Sequence, residues 1–295
     1  MPQTLNQFIL YLKRTKKLSE NTLQSYQHDI KLFADFLENT QYKDVKNATK
    51  SAVEEYITYL GTIGRVTSTI ARSIVSLKSF YQYLLLCGIV KHDPTTEVHP
   101  PKVEKKLPQI LSFKEVELLL EQPETDDLKG YRDKAMLELL YATGIRVSEL
   151  IALNIQDVNV DMGFIRCKDA RKERLIPIGK ICAAALSEYI VNARQMIVCS
   201  EEENALFVNM SGVRISRQGF WKLIKQYAKQ ACISKEITPH TLRHSFAAHL
   251  LENGADLQSI KNMLGHADIS STQIYAQLMN NKLMDVYAKA HPRAR

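Results

Sequence analysis

The 295 residues exceed the length of a typical single domain, so we expect two domains, each with its own core. A net charge of +7, spread along the chain, favours a polyanionic partner and argues against a concentrated basic tail. The five cysteines have no C-x-x-C spacing, which argues against a disulfide framework or a zinc ribbon and favours reduced thiols. The apolar runs are far shorter than the ~20 residues of a membrane span, so we expect a cytoplasmic protein.

Residues 4–90 carry apolar stripes at helical spacing, separated by polar turns. One stripe follows Ser19, and Ser51-x-x-Glu54 has the form of a capping box that opens another helix. We therefore predict a compact four-helix unit over residues 1–98. A helical bundle without a ligand explains these stripes as well as a phosphate-binding domain does, because basic residues on helices usually mark a solvated face.

Residues 99–108 contain three prolines and no buried stripe, which predicts an extended basic linker. A second capping box, Ser112-x-x-Glu115, then opens a domain over residues 109–295. Within that domain a helix over residues 131–143 is expected to end at Gly144, a residue suited to the left-handed C-terminal position.

After Asp157 the periodicity changes from helical to alternating. Residues 164–167 and 174–178 predict two strands joined by a polar, basic turn. Further helices are predicted over residues 181–197, 216–228 and 239–254. The chain is therefore expected to be mainly α-helical, with a small β-sheet in its C-terminal domain.

Five residues suited to phosphodiester chemistry lie in this second domain: Arg146, His240, Arg243, His266 and Tyr275. Two guanidiniums can clamp a phosphate that gains charge, two imidazoles can move protons, and a phenol can attack phosphorus and stay bonded to it. The spacing of His240 and Arg243 places both on one helix face. A free phenol has a pKa of about 10, so Tyr275 needs nearby positive charge and a proton acceptor to attack.

Each residue also has a simpler explanation when taken alone. A His-x-x-Arg pair is a common polar helix start, His266 suits a helix C-cap, and Tyr275 beside an isoleucine is more often a core residue. Histidines 240, 244 and 249 also allow a metal site, but an HExxH motif and an acidic ligand are missing from this stretch. We therefore expect neither a metal nor another cofactor.

The ordered motifs resemble the tyrosine recombinases of the Xer type across essentially the full chain. The matching segments are residues 143–150 (Thr-Gly-Ile-Arg-Val-Ser-Glu-Leu), 172–177 (Lys-Glu-Arg-Leu-Ile-Pro), 240–247 (His-Thr-Leu-Arg-His-Ser-Phe-Ala), 264–266 (Leu-Gly-His) and Tyr275, and residues 291–294 (His-Pro-Arg-Ala) resemble the tail of housekeeping Xer proteins. The resemblance implies an N-terminal SAM-like core-binding domain and an α+β catalytic domain that close around DNA as a clamp.

The resemblance also implies a site-specific DNA recombinase that works through a Holliday junction without ATP or metal. Tyr275 would form a 3′-phosphotyrosyl link and release a 5′-hydroxyl. Arg146 and Arg243 would stabilise the transition state, while His240 and His266 would transfer protons and hydrogen-bond the phosphate or the tyrosine.

A lysine that protonates the departing 5′-oxygen is expected on the strand hairpin. The family's usual Gly-Lys-Gly-x-Lys-Glu-Arg turn is replaced here by Cys-Lys-Asp-Ala-Arg-Lys-Glu-Arg at residues 167–174, a departure from the family pattern. Lys168 is nearest the expected strand end and is our candidate for the acid, with Lys172 as the alternative. Glu149, one turn after Arg146, would orient the site.

The partners implied are a double-stranded DNA recombination site, further protomers in a homotetramer or a heterotetramer with a paralogous recombinase, and an activating DNA translocase. The helix after Tyr275 would contact a neighbouring protomer, although an ordinary intramolecular helix explains its apolar stripe equally well. We expect resolution of chromosome or plasmid dimers. The alternatives are a mobile-element integrase or transposase, a type IB topoisomerase, a metal-dependent nuclease and a catalytically silent DNA-bridging protein.

Overall fold

The structure is a computed structural model, and it describes residues 2–103, 108–168, 173–200 and 202–265. The chain divides into two compact units, Met1–Lys106 and Leu107–Arg295. Helices dominate both units, and the described strands form one small antiparallel sheet in the second. This arrangement confirms the prediction of a mainly α-helical chain with a small C-terminal sheet.

The first unit packs helices around an aliphatic core that contains several aromatic rings. Its described helices are α1 (Pro2–Tyr11), α2 (Glu20–Glu38), α3 (Lys50–Thr62) and α4 (Thr67–Leu86). Phe8, Phe33, Tyr56 and Phe80 are completely buried, and the rings of Phe33 and Tyr56 pack edge to face with centroids 4.9 Å apart. Such aromatic pairs stabilise the core beyond the area that they bury.

The predicted N-cap of α3 at Ser51 is wrong. The helix begins at Lys50, and the Thr49 side chain accepts a hydrogen bond from the backbone N–H of Ala52 at 3.3 Å. Thr49 has the extended backbone that an N-cap requires, and it lies two residues earlier than the capping box placed it.

The second unit contains more helices and the sheet. Its described helices are α5 (Phe113–Glu121), α6 (Leu128–Thr143), α7 (Val147–Ala152), α8 (Lys180–Glu188), α9 (Gln195–Ile197), α10 (Arg217–Gln230), α11 (Pro239–Glu252) and α12 (Leu257–Leu264). The strands β1 (Val158–Asn159), β2 (Phe164–Lys168) and β3 (Glu173–Pro177) pair antiparallel in chain order. The capping box at Ser112 and Glu115 is present as predicted.

Helix α6 runs through the core of the second unit and ends, as predicted, at Gly144. This glycine has φ 59°, and its N–H donates to Leu140 O at 2.9 Å. A Cβ placed at Gly144 would lie 2.2 Å from a ring carbon of Phe246 in α11 and 2.9 Å from Leu264 in α12. The three helices α6, α11 and α12 therefore meet at a point where only a glycine fits.

Helix α11 is also attached to the segment that precedes α5. The N–H of Leu111 donates to Ser245 Oγ at 2.9 Å, and His249 Nε2 donates to Leu111 O at 2.9 Å. The Tyr141 hydroxyl completes the set by donating to His249 Nδ1 at 2.8 Å. Because Ser245 and His249 are buried, these bonds satisfy groups that would otherwise be costly to remove from water.

We expect Gly144→Ala to lower the free energy of unfolding by about 2–4 kcal/mol, from the left-handed backbone and the clash with Phe246 together. The matched control is Gly254→Ala, which has φ +86° but nothing within 4 Å of the added Cβ, so it should cost only about 1 kcal/mol. Thermal and urea unfolding of both variants test this. Equal losses would contradict the steric argument.

Candidate active site

Arg146 lies in the turn between α6 and α7 and is held by Glu149. The Arg146 backbone N–H donates to Glu149 Oε2 at 2.7 Å, and its guanidinium lies 3.4 Å from Glu149 Oε1. The same guanidinium donates to the backbone carbonyl of Gly265 at 3.1 Å. The Arg146 side chain remains 37% exposed, so it is fixed at its base and reaches the surface.

Arg243 is buried and binds the ends of two helices. Its Nη1 donates to Gly144 O at 2.5 Å, and its Nη2 donates to Leu264 O at 2.7 Å. Carbonyls at helix C-termini lack intrahelical partners and carry partial negative charge, which suits a guanidinium. Arg146 and Arg243 therefore converge on the adjacent carbonyls of Leu264 and Gly265.

Arg174 is a third guanidinium in this cluster, and it is absent from the residues singled out from the sequence. It lies on β3, where its Nη1 is 2.8 Å from Glu149 Oε1 and its Nε donates to Met263 O at 3.1 Å. A Cβ on Gly265 would come within 2.8 Å of the Arg174 guanidinium. The position of Arg174 within the matched 172–177 motif is the signal that could have identified it.

Glu149 is the carboxylate shared by Arg146 and Arg174. Burial alone would raise its pKa, but the hydrogen bonds from Arg174 and from the Arg146 N–H, with the charges of both guanidiniums, lower the pKa below its usual value. Glu149 is therefore ionised at neutral pH. Among the described residues, the one carboxylate that pairs with Arg146 and Arg174 is outnumbered by the guanidiniums of Arg146, Arg174 and Arg243, so this cluster as a whole is positive.

His240 lies in the first turn of α11, which is capped by Thr238 and begins with Pro239, as predicted. The imidazole is exposed at the surface, yet partial removal from water lowers its pKa, and the charges of Arg243, Arg217 and Arg146 lower it further. His240 is therefore neutral at pH 7, a state in which an imidazole can accept one proton or donate one hydrogen bond.

Lys168 is the last residue of β2 and pairs with Glu173 of β3. Its ammonium lies 3.1 Å from Oδ1 of the buried Asp157. A cavity of about 90 Å³ lies beside this ion pair and is lined in part by Glu149, Asp157 and Lys168. The structure thus places Lys168 and Glu149 around one cavity.

His266 and Tyr275 lie outside the described residues, as do Lys172 and the segment predicted to contact a neighbouring protomer. Of the six candidate residues, Arg146, Lys168, His240 and Arg243 are described, and Arg146 and Arg243 bind the backbone immediately before His266 in the sequence.

The described part of the chain contains no group of three or more histidine, cysteine, aspartate or glutamate side chains placed to hold a metal ion. His249, one of the histidines that suggested a metal, instead bonds Leu111 O and the Tyr141 hydroxyl. Within the same residues we find no helix with the length and apolar character needed to cross a membrane.

Comparison with curated proteins finds relatives along the whole chain. The tyrosine recombinase XerD of Halalkalibacterium halodurans is 47% identical over 292 residues, which cover 98% of each chain. The tyrosine recombinase XerD of Staphylococcus epidermidis is 43% identical over 295 residues, which cover 100% of each chain.

Solved structures share the fold. The crystal structure of XerA recombinase is 28% identical in sequence, and the match covers 99% of each chain with a TM-score of 0.55. The XerH site-specific recombinase in its pre-cleavage complex with difH substrate is 21% identical and has a TM-score of 0.72, covering 96% of this chain and 83% of that chain. At this lower identity the similarity to XerH concerns the fold alone.

Family models match both halves of the sequence. The model of the phage integrase N-terminal SAM-like domain matches residues 5–88, which together with the similar structures confirms the predicted fold class. The phage integrase family model matches residues 109–282, more than half of the chain. With a relative 47% identical over nearly its full length, this chain belongs to the phage integrase family, the tyrosine recombinases.

Proposed function

We propose that this recombinase cuts and rejoins DNA through a covalent link between Tyr275 and a 3′-phosphate, and that it resolves chromosome or plasmid dimers. Membership of the family makes the chain a site-specific DNA recombinase. Relatives named XerD, 41–47% identical over the full length, favour dimer resolution over the integrase of a mobile element. No ATP is required, because the phosphotyrosyl link conserves the energy of the broken phosphodiester.

The observation that carries the proposal is the convergence of Arg146 and Arg243 on the carbonyls of Gly265 and Leu264, at 3.1 and 2.7 Å. Neutral carbonyls orient the guanidiniums without cancelling their charge. Two fixed positive groups beside the segment that leads to His266 suit a phosphate that gains negative charge in the transition state. Preorganised charge of this kind is usually the largest contribution to catalysis.

Proton transfer is assigned to the remaining candidates. The neutral His240, with His266, handles protons and hydrogen bonds at the phosphate or at the Tyr275 hydroxyl. Lys168 donates a proton to the 5′-oxygen as it leaves, and Lys172 remains the alternative donor. The cavity beside Lys168 is also lined by Glu149, which holds Arg146, and this supports Lys168.

We assign residues 1–98 to DNA binding as the core-binding domain, residues 99–108 to the linker and residues 109–295 to the catalytic domain. The similar XerH structures are complexes with difH substrate, which supports a double-stranded recombination site as the partner here. Assembly as four protomers on two duplexes, with itself or a paralogue, and activation by a DNA translocase belong to the same proposal.

Tyr275→Phe should abolish the covalent protein–DNA adduct while leaving DNA affinity nearly unchanged, because only the attacking oxygen is removed. Nicked suicide duplexes carrying candidate recombination sites would trap the adduct, and mass spectrometry would identify the linked peptide. Tyr287→Phe, in the same C-terminal segment, is the control and should form adduct normally. The adduct should also form in EDTA. Adduct formation by Tyr275→Phe would refute the nucleophile assignment.

Lys168→Ala should slow cleavage by about 10²-fold or more, because general acid catalysis typically contributes 10²–10⁴-fold. Lys172→Ala should slow cleavage less. A substrate with a 5′-bridging sulfur has a leaving group that needs no proton, so it should restore cleavage by the variant that lacks the acid. Restoration of Lys172→Ala alone would transfer the role to Lys172.

Glu149→Gln should destabilise the protein at neutral pH, and the difference from the unaltered protein should shrink as the pH falls below about 4.5. The reason is that a folded-state pKa below the ordinary 4.5 contributes stability above that value and loses it on acidification. Denaturant unfolding from pH 7 to pH 3 measures this. Glu173→Gln, an exposed partner of Arg166, should have little effect. A pH-independent difference would contradict the charge argument.

A further inference from the structure

Asp157 is a buried acid that the family motifs leave without a role. It ends the short 3₁₀ turn Ile155–Asp157 and is only 5% exposed. One of its oxygens, Oδ2, accepts the backbone N–H of Asn154 at 3.0 Å. That bond explains why an acceptor is present here, but asparagine or serine would also serve as the acceptor.

The second oxygen of Asp157 distinguishes it from a capping residue. Oδ1 is fully buried and has no well-directed hydrogen bond within the described residues, yet it lies 3.1 Å from the Lys168 ammonium. The contact is therefore an ion pair set by charge and distance rather than by hydrogen-bond angle. A buried carboxylate without a compensating charge is strongly unfavourable, so Asp157 holds the ammonium near it.

Lys168 needs such a partner if it is to act at a defined place. Its backbone is fixed by pairing with Glu173, but its side chain is 53% exposed and carries four rotatable bonds. The cavity of about 90 Å³ extends from this ion pair to Glu149, which contacts Arg146 and Arg174. Lys168 and Asp157 thus line the same cavity as Glu149, the residue that pairs with Arg146 and Arg174.

We infer that Asp157 is the positioning residue for the catalytic ammonium of Lys168, an inference that rests on the proposed function. During cleavage the Tyr275 oxygen bonds to phosphorus as its proton passes to a histidine of the site, the P–O5′ bond breaks, its electron pair goes to O5′, and a proton moves from Lys168 Nζ to that oxygen. In rejoining, the 5′-hydroxyl attacks phosphorus, the bond from phosphorus to the Tyr275 oxygen breaks with return of a proton to the phenol, and the amine takes the 5′-hydroxyl proton, so Asp157 keeps Nζ in place for both steps.

The test is Asp157→Asn, which keeps the volume and an oxygen that can accept the Asn154 N–H while removing the charge. In single-turnover cleavage of the all-oxygen suicide substrate we expect a loss of about tenfold, part of the 10²–10⁴-fold that a general acid supplies. On the 5′-bridging-sulfur substrate the rate should change less than about twofold. Asp157→Asn combined with Lys168→Ala should be no slower than Lys168→Ala alone, because both changes remove one function.

Asp161→Asn is the matched control, because Asp161 is exposed in the turn between β1 and β2. This variant should cleave both substrates at the normal rate. A purely structural role for Asp157 predicts equal losses on both substrates, and that result would overturn the inference. Faster cleavage by Asp157→Asn would also overturn it, because Asp157 would then withhold the lysine. If the 5′-bridging-sulfur substrate restores cleavage by Lys168→Ala but not by Asp157→Asn, this inference alone fails. Adduct formation by Tyr275→Phe would instead overturn the proposed function.

Discussion

The Glu149 carboxylate is the charge on which the arrangement of the site depends. It lies between the guanidiniums of Arg146 and Arg174 and also accepts the backbone N–H of Arg146. The guanidiniums of Arg146 and Arg174 both contact Glu149 Oε1, and without this carboxylate their positive charges would repel each other. The Arg174 side chain, which is only 15% exposed, would also be costly to keep away from water. The turn from α6 into α7 and the edge of the sheet are thereby joined through a single acid.

Backbone carbonyls do the rest of the positioning. Arg243 binds Gly144 and Leu264, Arg146 binds Gly265, and Arg174 binds Met263. Three arginines from different elements thus hold the C-terminal end of α12. Because these acceptors are uncharged, the cluster keeps a positive excess, which is the electrostatic condition for receiving a phosphate.

Local chemistry explains what could be predicted from the sequence. The caps at Ser112 and Thr238 and the end of α6 at Gly144 depend on neighbouring residues, so short motifs identify them. The Ser51 cap failed because Thr49 is an equally good capping residue and comes earlier. Arg174 and Asp157 were missed because their partners are distant in the chain, and an isolated charge on a strand or turn usually faces water.

The ladder between β2 and β3 has a consequence for how the hairpin tip can change. Lys168 pairs with Glu173 at the last rung, and four residues, 169–172, connect them. A change in the length of that connection can leave the rung intact, so a proton donor on the rung keeps its location, whereas a donor inside the connection would shift. A hairpin tip whose sequence departs from the family's usual turn is therefore compatible with unchanged chemistry.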